Sequence, residues 1–461
     1  MKKWVLVLFV CVFAFSAQAK TAKNLIWVIG DGMGPSAMGF FMEAIRNSHN
    51  PAYPDKQSYL EKFINASDVG LYFNNTHVSI VTDSAGSATQ MSTGQFSLPD
   101  YIGQDYSGLD VKNIMEEAQA RGLSVGVISD AYVTDATPAG FLSHVRSRKQ
   151  KYDIARQMID SGADVILGGG LKYFSKGENK KLLKEAKKKG YTIVKNKKQL
   201  ASAKGKKLLG LFADEAMPFY IEKDLNPNVP TLKDMAQAAL RVLSQNEKGF
   251  VLMVEAGKID WALHENDGGA SYYEMLGLDE TLPVLTAFAD KNEDTLIYLN
   301  ADHETGVPAF SYRHLDEDQV KHKNAQGEML YGGNTDYIDY KEFDNLAKQN
   351  RVLFYVNEDF KKLPKEKQTP AAMQAMMDKA LGYHIDLSSL QDPTDYEAVK
   401  QRINQAKGLS WNTGAHTSGM LIGVAYGGYD GFTGVYHNTQ LKDKMSRALG
   451  WTQLPSEEDE D

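Results

Sequence analysis

A chain of 461 residues with 43% hydrophobic and 24% charged positions has an ordinary globular composition and can bury a large core. Its formal net charge of −8 argues against general affinity for nucleic acid or anionic membrane surfaces. The single cysteine, Cys11, excludes a disulfide scaffold.

In chain order, the first element is a leader. Met1-Lys2-Lys3 is basic, residues 4–15 are apolar, and Ala17-Gln18-Ala19 offers small residues for cleavage. This is the pattern of a secretory signal peptide cut after Ala19. A retained membrane anchor is the weaker reading, because the apolar stretch is too short to span a bilayer easily. Cleavage removes Lys2, Lys3 and Cys11, so the mature chain carries no thiolate and its charge falls from −8 to −10. Lipidation of Cys11 is disfavoured by its bulky neighbours.

Short apolar runs then alternate with helical patterns: residues 24–30 (NLIWVIG), 124–129 (SVGVIS), 165–167, 250–254 (FVLMV), 295–300 (TLIYLN) and 420–426 (MLIGVAY). The alternation predicts an α/β protein whose large, mostly parallel central sheet is flanked by helices on both faces. Asp31 follows the first run and Thr137 lies just beyond the second. Glu255 ends the fourth, and Asp302-His303 follow the fifth. Ligands in open α/β sheets bind at the carboxyl ends of strands, so these polar residues predict one site assembled from distant sequence.

Other stretches read as peripheral. The lysine-rich residues 176–207 fit solvated helix faces better than a polyanion patch. Gly168-Gly169-Gly170 reads as a loop, since it lacks the spacing and following helix of a dinucleotide fingerprint. The interval from His303 to His416 contains Tyr331-Gly332-Gly333, Tyr337, Tyr340 and helical patterns over 370–381 and 394–406. It is too long for bare loop. It is expected to be an insertion, residues 307–410, folded onto a single catalytic domain spanning 20–461 and available for a subunit contact. Residues 456–461 are an acidic, solvated tail expected to be disordered.

The chemistry centres on Asp83-Ser84 in VTDSAGSAT. A serine at a helix start sits where free N–H groups favour a negative oxygen. Its hydroxyl needs a base or a metal, and no histidine near it in sequence offers the base. Metal ligands are more abundant. Asp260 and His264 are four apart and share a helix face, with Glu255 just before them. Asp302-His303 follow a strand, His416 lies in GAHTSG, and Asp31 sits in the glycine turn GDGMG. Carboxylate and imidazole without thiolate suit a catalytic zinc, or magnesium where oxygens predominate. His49, His77, His144, His314, His322, His384 and His437 lack such settings, with His144 the nearest candidate for an outer-sphere role. Arg146 and Arg148 both offer a fork for phosphate oxygens, and spacing alone leaves the choice open.

Six motifs, GDGMG, TDSAGSAT, DATP with SR, VEAGKIDWALH, ADHETG and GAHTSG, occur in this order from Gly30 to Gly419. Together they resemble the bacterial alkaline phosphatase family. The resemblance implies two zinc ions and a third, magnesium-type ion. Asp260, His264 and His416 would hold the first zinc, and Asp31, Ser84, Asp302 and His303 the second. Asp31, Thr137 and Glu255 would hold the third ion, with Asp135 just outside it. It selects Arg148 as the phosphate-binding arginine, oriented by Asp83. It implies hydrolysis of phosphate monoesters to alcohol and inorganic phosphate through a phosphoserine on Ser84, in a homodimer; the signal peptide points to the periplasm, and with no second long apolar segment no membrane anchor is expected in the mature chain. Trp261 departs from members with lysine or histidine there, which leaves magnesium, zinc or cobalt open for the third site. A diesterase is disfavoured by Arg148, and a sulfatase by Ser84-Ala85-Gly86. A phosphate- or metal-binding protein would leave the serine among the ligands unexplained.

Overall fold

A computed structural model describes residues 20–314, 326, 335–336 and 340–451. The leader, Cys11, His322, Tyr331-Gly332-Gly333, Tyr337 and the acidic tail lie outside the described residues. The frame is a ten-stranded sheet. Its strands are β1 (Asn24–Gly30), β2 (Asp68–Phe73), β3 (Ser124–Tyr132), β4 (Val165–Gly169), β5 (Thr192–Val194), β6 (Leu208–Leu211), β7 (Phe250–Ala256), β8 (Thr295–Ala301), β9 (Leu421–Tyr426) and β10 (Gly434–His437). They lie in the order β10-β2-β9-β8-β1-β7-β3-β4-β6-β5. Only β9 runs antiparallel to its neighbours, β8 and β2, so the sheet is mostly parallel as expected.

The centre of the sheet follows from its residues. β1, β7 and β8 are apolar at nearly every position and buried throughout, as strands covered on both faces must be. Trp27 on β1 meets Phe141 and Tyr298 edge-on, and its indole N–H donates to Asn300 Oδ1 at 2.8 Å. The register also decides where the chemistry emerges. Gly30 pairs with Ala256 on one side and Ala301 on the other, while Ser129 pairs with Glu255. The carboxyl ends of four adjacent strands are therefore level, and Asp31, Glu255 and Asp302 leave the sheet at one edge. Among the described residues no helix is long and apolar enough to cross a membrane.

Two expectations are corrected. Gly168 and Gly169 belong to β4 rather than to a loop, and Gly170 (φ 93°) opens a helix, Leu171–Ser175, directly. A Cβ on Gly169 would stand 2.7 Å from the Ala131 carbonyl, so the neighbouring backbone needs a glycine in that strand. The lysine-rich stretch does carry solvated helices, Leu182–Lys188 and Lys197–Ser202, but it also supplies β5, the edge of the main sheet.

After β8 the chain departs through a short strand, Pro308–Phe310, that pairs antiparallel with Leu409–Trp411 on its return. Between them, helices Leu353–Lys361, Pro370–Leu381 and Tyr396–Ala406 pack around their own small core, which includes Phe360, Met373, Leu381 and Ile403.

Candidate active site

Ser84 is the first residue of helix Ser84–Thr93, capped by Asp83, whose Oδ1 accepts from Gly86 N at 2.9 Å. All ten helix residues are buried. Small residues make this burial fit. The helix lies so close to helix Ala136–Leu142 that a Cβ on Gly140 would stand 2.9 Å from that of Ala88. Ser84 is thus presented by a closely packed element.

A histidine does reach Ser84, from far away in sequence. His303 Nε2 lies 3.1 Å from Ser84 Oγ across a separation of 219 residues. The hydrogen bonds around it fix its tautomer. The Thr305 hydroxyl donates to Asp260 Oδ1 at 2.6 Å, so its oxygen accepts from His303 Nδ1 at 3.2 Å. Nε2 is then bare, and it faces Asp31 Oδ1 at 3.4 Å and Asp302 Oδ2 at 3.2 Å. Burial first, and then nearby His416, pushes the His303 pKa well below its ordinary value, so the ring is neutral.

His264 and His416 repeat the logic. His264 Nδ1 donates to the Gly414 carbonyl at 2.8 Å, and His416 Nδ1 to the Thr82 carbonyl at 2.9 Å. Their two Nε2 atoms face each other at 3.0 Å, with Asp260 Oδ2 3.3 Å from that of His264. Two imidazole nitrogens and a carboxylate that converge in this way could hold one metal ion together.

Two groups, Asp260-His264-His416 and Asp31-Asp260-His303, each bring ligand atoms within 4.8 Å of one another. Asp260 thus joins both. Asp31 Oδ1, Asp302 Oδ2, Thr137 Oγ1 and Glu255 Oε2 are buried and take part in no hydrogen bond. Burial raises the Asp31 pKa first, followed by repulsion from Asp302, Asp260 and Glu255. Glu255 and Asp302 are also raised, chiefly by burial. Converging carboxylates, imidazole nitrogens and unsatisfied oxygens make a donor set that fits bound cations.

The two arginines part in space. Arg148 lines the same cleft as Ser84, its guanidinium held by Asp83 Oδ2 at 3.4 Å and Asp135 Oδ1 at 3.2 Å. Burial alone would lower its pKa, but Asp135, Asp83 and Asp31 outweigh that and raise it, keeping it charged. Arg146 instead bonds the Tyr101 hydroxyl at 2.8 Å on another surface. Asp135 also binds Lys151 at 3.4 Å, a partner that the sequence reading missed. His144 has no place here. Its Nδ1 meets Gly103 O at 2.7 Å and its Nε2 meets Glu116 Oε1 at 3.0 Å.

Thr305 was also missed, though it stands two residues after His303 in ADHETG. A glycine turn supports it: Gly32, at φ 70°, would bring a Cβ within 2.8 Å of both Thr305 Oγ1 and Asp260 Oδ1. Above Ser84 and Arg148 opens a cleft of about 430 Å³, walled by Phe219, Trp261, Val352, Phe354 and Tyr355. Trp261 is half-buried there, its ring centroid 6.0 Å from that of Tyr132.

Comparison with known proteins agrees with this geometry. A model of the family described as alkaline phosphatase matches residues 22–451. The chain is similar to alkaline phosphatase 3 of Bacillus subtilis, at 30% identity over 93% of this chain and 89% of that protein. It is similar also to the alkaline phosphatase of Escherichia coli, at 33% identity over 68% and 81%. Among solved structures, a cold-active alkaline phosphatase from a psychrophilic Shewanella sp. shares 31% identity and a TM-score of 0.75, covering 92% of this chain and 99% of that one. The Thermus thermophilus alkaline phosphatase gives 26% and 0.79, covering 94% and 92%. The chain belongs to the alkaline phosphatase family, whose members are metal-dependent phosphomonoesterases.

Proposed function

We propose that this enzyme hydrolyses phosphate monoesters by passing the phosphoryl group first to Ser84 and then to water. The observation that carries the reading is Ser84 Oγ at a helix start, 3.1 Å from the bare Nε2 of His303 and in one cleft with Arg148. Asp260, His264 and His416 would hold one zinc ion; Asp31, Ser84, Asp302 and His303 would hold a second. Asp31, Thr137 and Glu255 would hold a third ion of magnesium type, for which zinc or cobalt are the alternatives. When bound, these cations supply positive charge that favours the serine alkoxide and the departing ester oxygen.

The protein's own groups do the rest. The Arg148 fork takes two non-bridging phosphate oxygens, steadied by Asp83 and Asp135. Ser84 Oγ loses its proton, attacks phosphorus in line, and the ester P–O bond breaks as the alcohol leaves with a proton. Water then attacks the phosphoserine, the P–Oγ bond breaks, and Ser84 regains its proton as inorganic phosphate departs. Turnover is favoured at alkaline pH, where both oxygens deprotonate more readily.

The test is Ser84→Ala. It should fold like the wild type and lose p-nitrophenyl phosphate hydrolysis by at least ~10³-fold, the scale expected for removing a nucleophile. Acid-quenched wild type should carry a phosphoryl adduct on the Ser84 peptide. Turnover by the alanine variant would reject the mechanism. Bis-p-nitrophenyl phosphate should be a poor substrate.

Three organisational readings complete the proposal. Export with cleavage after Ala19 would deliver the enzyme to the periplasm, which N-terminal sequencing of the exported protein tests. Residues 20–461 form one catalytic domain with 307–410 as an insertion, a reading supported by the ribbon joining Pro308–Phe310 to Leu409–Trp411. A homodimer is supported by apolar side chains left in water, Val78 at 68% and Ile80 at 75% exposed, and sedimentation tests it.

A further inference from the structure

We propose that the cleft outside the phosphoryl position is an aryl subsite, which gives this enzyme a preference for monoesters of flat, uncharged aromatic alcohols. The proposal rests on the assignment of Ser84 and Arg148 above.

A cleft of about 430 Å³ is far larger than a phosphoryl group requires, so most of it faces the leaving group. That outer part is aromatic. Trp261 comes from helix Lys258–His264, the element that also carries Asp260 and His264. Phe354 and Tyr355 come from helix Leu353–Lys361 in the opposite wall. The two walls are tied together by Phe219, which is 5% exposed. Its ring meets Trp261 edge-on at 6.4 Å and Tyr355 edge-on at 5.7 Å. Behind it the buried Lys258 Nζ stands 3.9 Å from the Trp261 ring centroid and 4.1 Å from that of Phe219. Trp261 and Tyr355 are therefore held before any substrate arrives, which lowers the entropic cost of using them. Phe354 is different: 37% exposed, it lies 5.8 Å from Tyr355 and lines the cleft. An aromatic ring entering the cleft would meet Phe354 and Trp261 in its lining.

Charge narrows the choice further. Among the described lining residues Arg148 is the only arginine or lysine, and it is committed to the transferred phosphoryl group. The acidic residue of the outer cleft is Glu265. A leaving group bearing further phosphates would meet that carboxylate with no lysine or second arginine in the described lining, whereas a neutral aryl group loses only water.

The experiment compares 2-naphthyl phosphate with glycerol 2-phosphate on the metal-loaded enzyme and its Phe354→Ala and Phe354→Trp variants. Phe354→Ala should lower kcat/KM for the naphthyl ester about tenfold, chiefly through KM, as expected for one lost ring contact. It should leave the glycerol ester within about twofold and inhibition by inorganic phosphate unchanged. Phe354→Trp should restore the naphthyl ester. Equal losses on both substrates, or no loss on either, would overturn the subsite while leaving the phosphoryl site intact. Turnover of both esters by Ser84→Ala would instead overturn the underlying assignment.

Discussion

Replacing Thr305 with valine removes one hydroxyl and keeps the side chain's shape. In the wild type that hydroxyl donates to Asp260 Oδ1 at 2.6 Å and accepts from His303 Nδ1 at 3.2 Å, in a fully buried position. It therefore orients one residue of each proposed zinc set without being a ligand itself. A hydrogen bond to a charged group contributes about 1.5–3 kcal/mol. If that orientation is spent on holding the cations, Thr305→Val weakens zinc binding by about 10- to 100-fold, the range seen when a ligand's outer partner is removed. The assay strips the enzyme with a chelator and follows activity against buffered free zinc. The midpoint should move to higher zinc by that factor, while kcat at saturation stays within a few-fold of wild type. An unchanged midpoint, or a deficit that no zinc concentration restores, would refute the argument.

Three other outcomes follow. Arg148→Ala should raise KM and weaken inhibition by inorganic phosphate about 100-fold, since a charge-assisted pair of bonds is lost, and steady-state kinetics reads both. Chelation should lower the melting temperature. A cation present at a thousand times its dissociation constant contributes about 4 kcal/mol, or roughly 4 °C per ion for a chain of this size. Scanning calorimetry with and without chelator measures it. His144→Asn should leave kcat unchanged and make stability less dependent on pH. Burial opposes the imidazolium, but the bonds to Glu116 and the Gly103 carbonyl win and raise its pKa. Its stabilising charge is thus fully present below about pH 6.5 and is lost as pH rises through the higher folded value. The variant should lose about 1 kcal/mol at pH 5.5 and less at pH 9, as urea unfolding would show.

The sheet was legible because its central strands are continuous apolar runs, and the site because polar residues stand at their ends. Asp31, Glu255 and Asp302 each follow such a run, and the level register of β1, β7 and β8 turns that pattern into proximity. What stayed hidden depends on packing. The meeting of His303 with Ser84 needs helix Ser84–Thr93 to dock at the end of β8, where Ser87 Oγ donates to the Asp302 carbonyl at 2.7 Å, and no local spacing encodes it. Arg146 and Arg148 have equivalent neighbours in sequence and part only when Asp83 and Asp135 converge on one of them. Thr305 and Lys151 act through other side chains, so residue type alone did not mark them. The aromatic wall pairs Trp261 with Phe354 and Tyr355, some ninety residues later, through a segment whose return path is tertiary.

The level strand ends also govern how the enzyme comes into being. His416 hydrogen-bonds the Thr82 carbonyl over a separation of 334 residues, and β9, near the end of the described chain, lies between β2 and β8. Closing loops of that length is entropically costly and comes before any stabilising contact, so a protein of such high contact order folds slowly. Helices such as Pro35–Asn47 need only local interactions, whereas Ser84 meets His303 only when segments 219 residues apart have docked. Recovered turnover is consequently a stricter report of completed folding than recovered secondary structure.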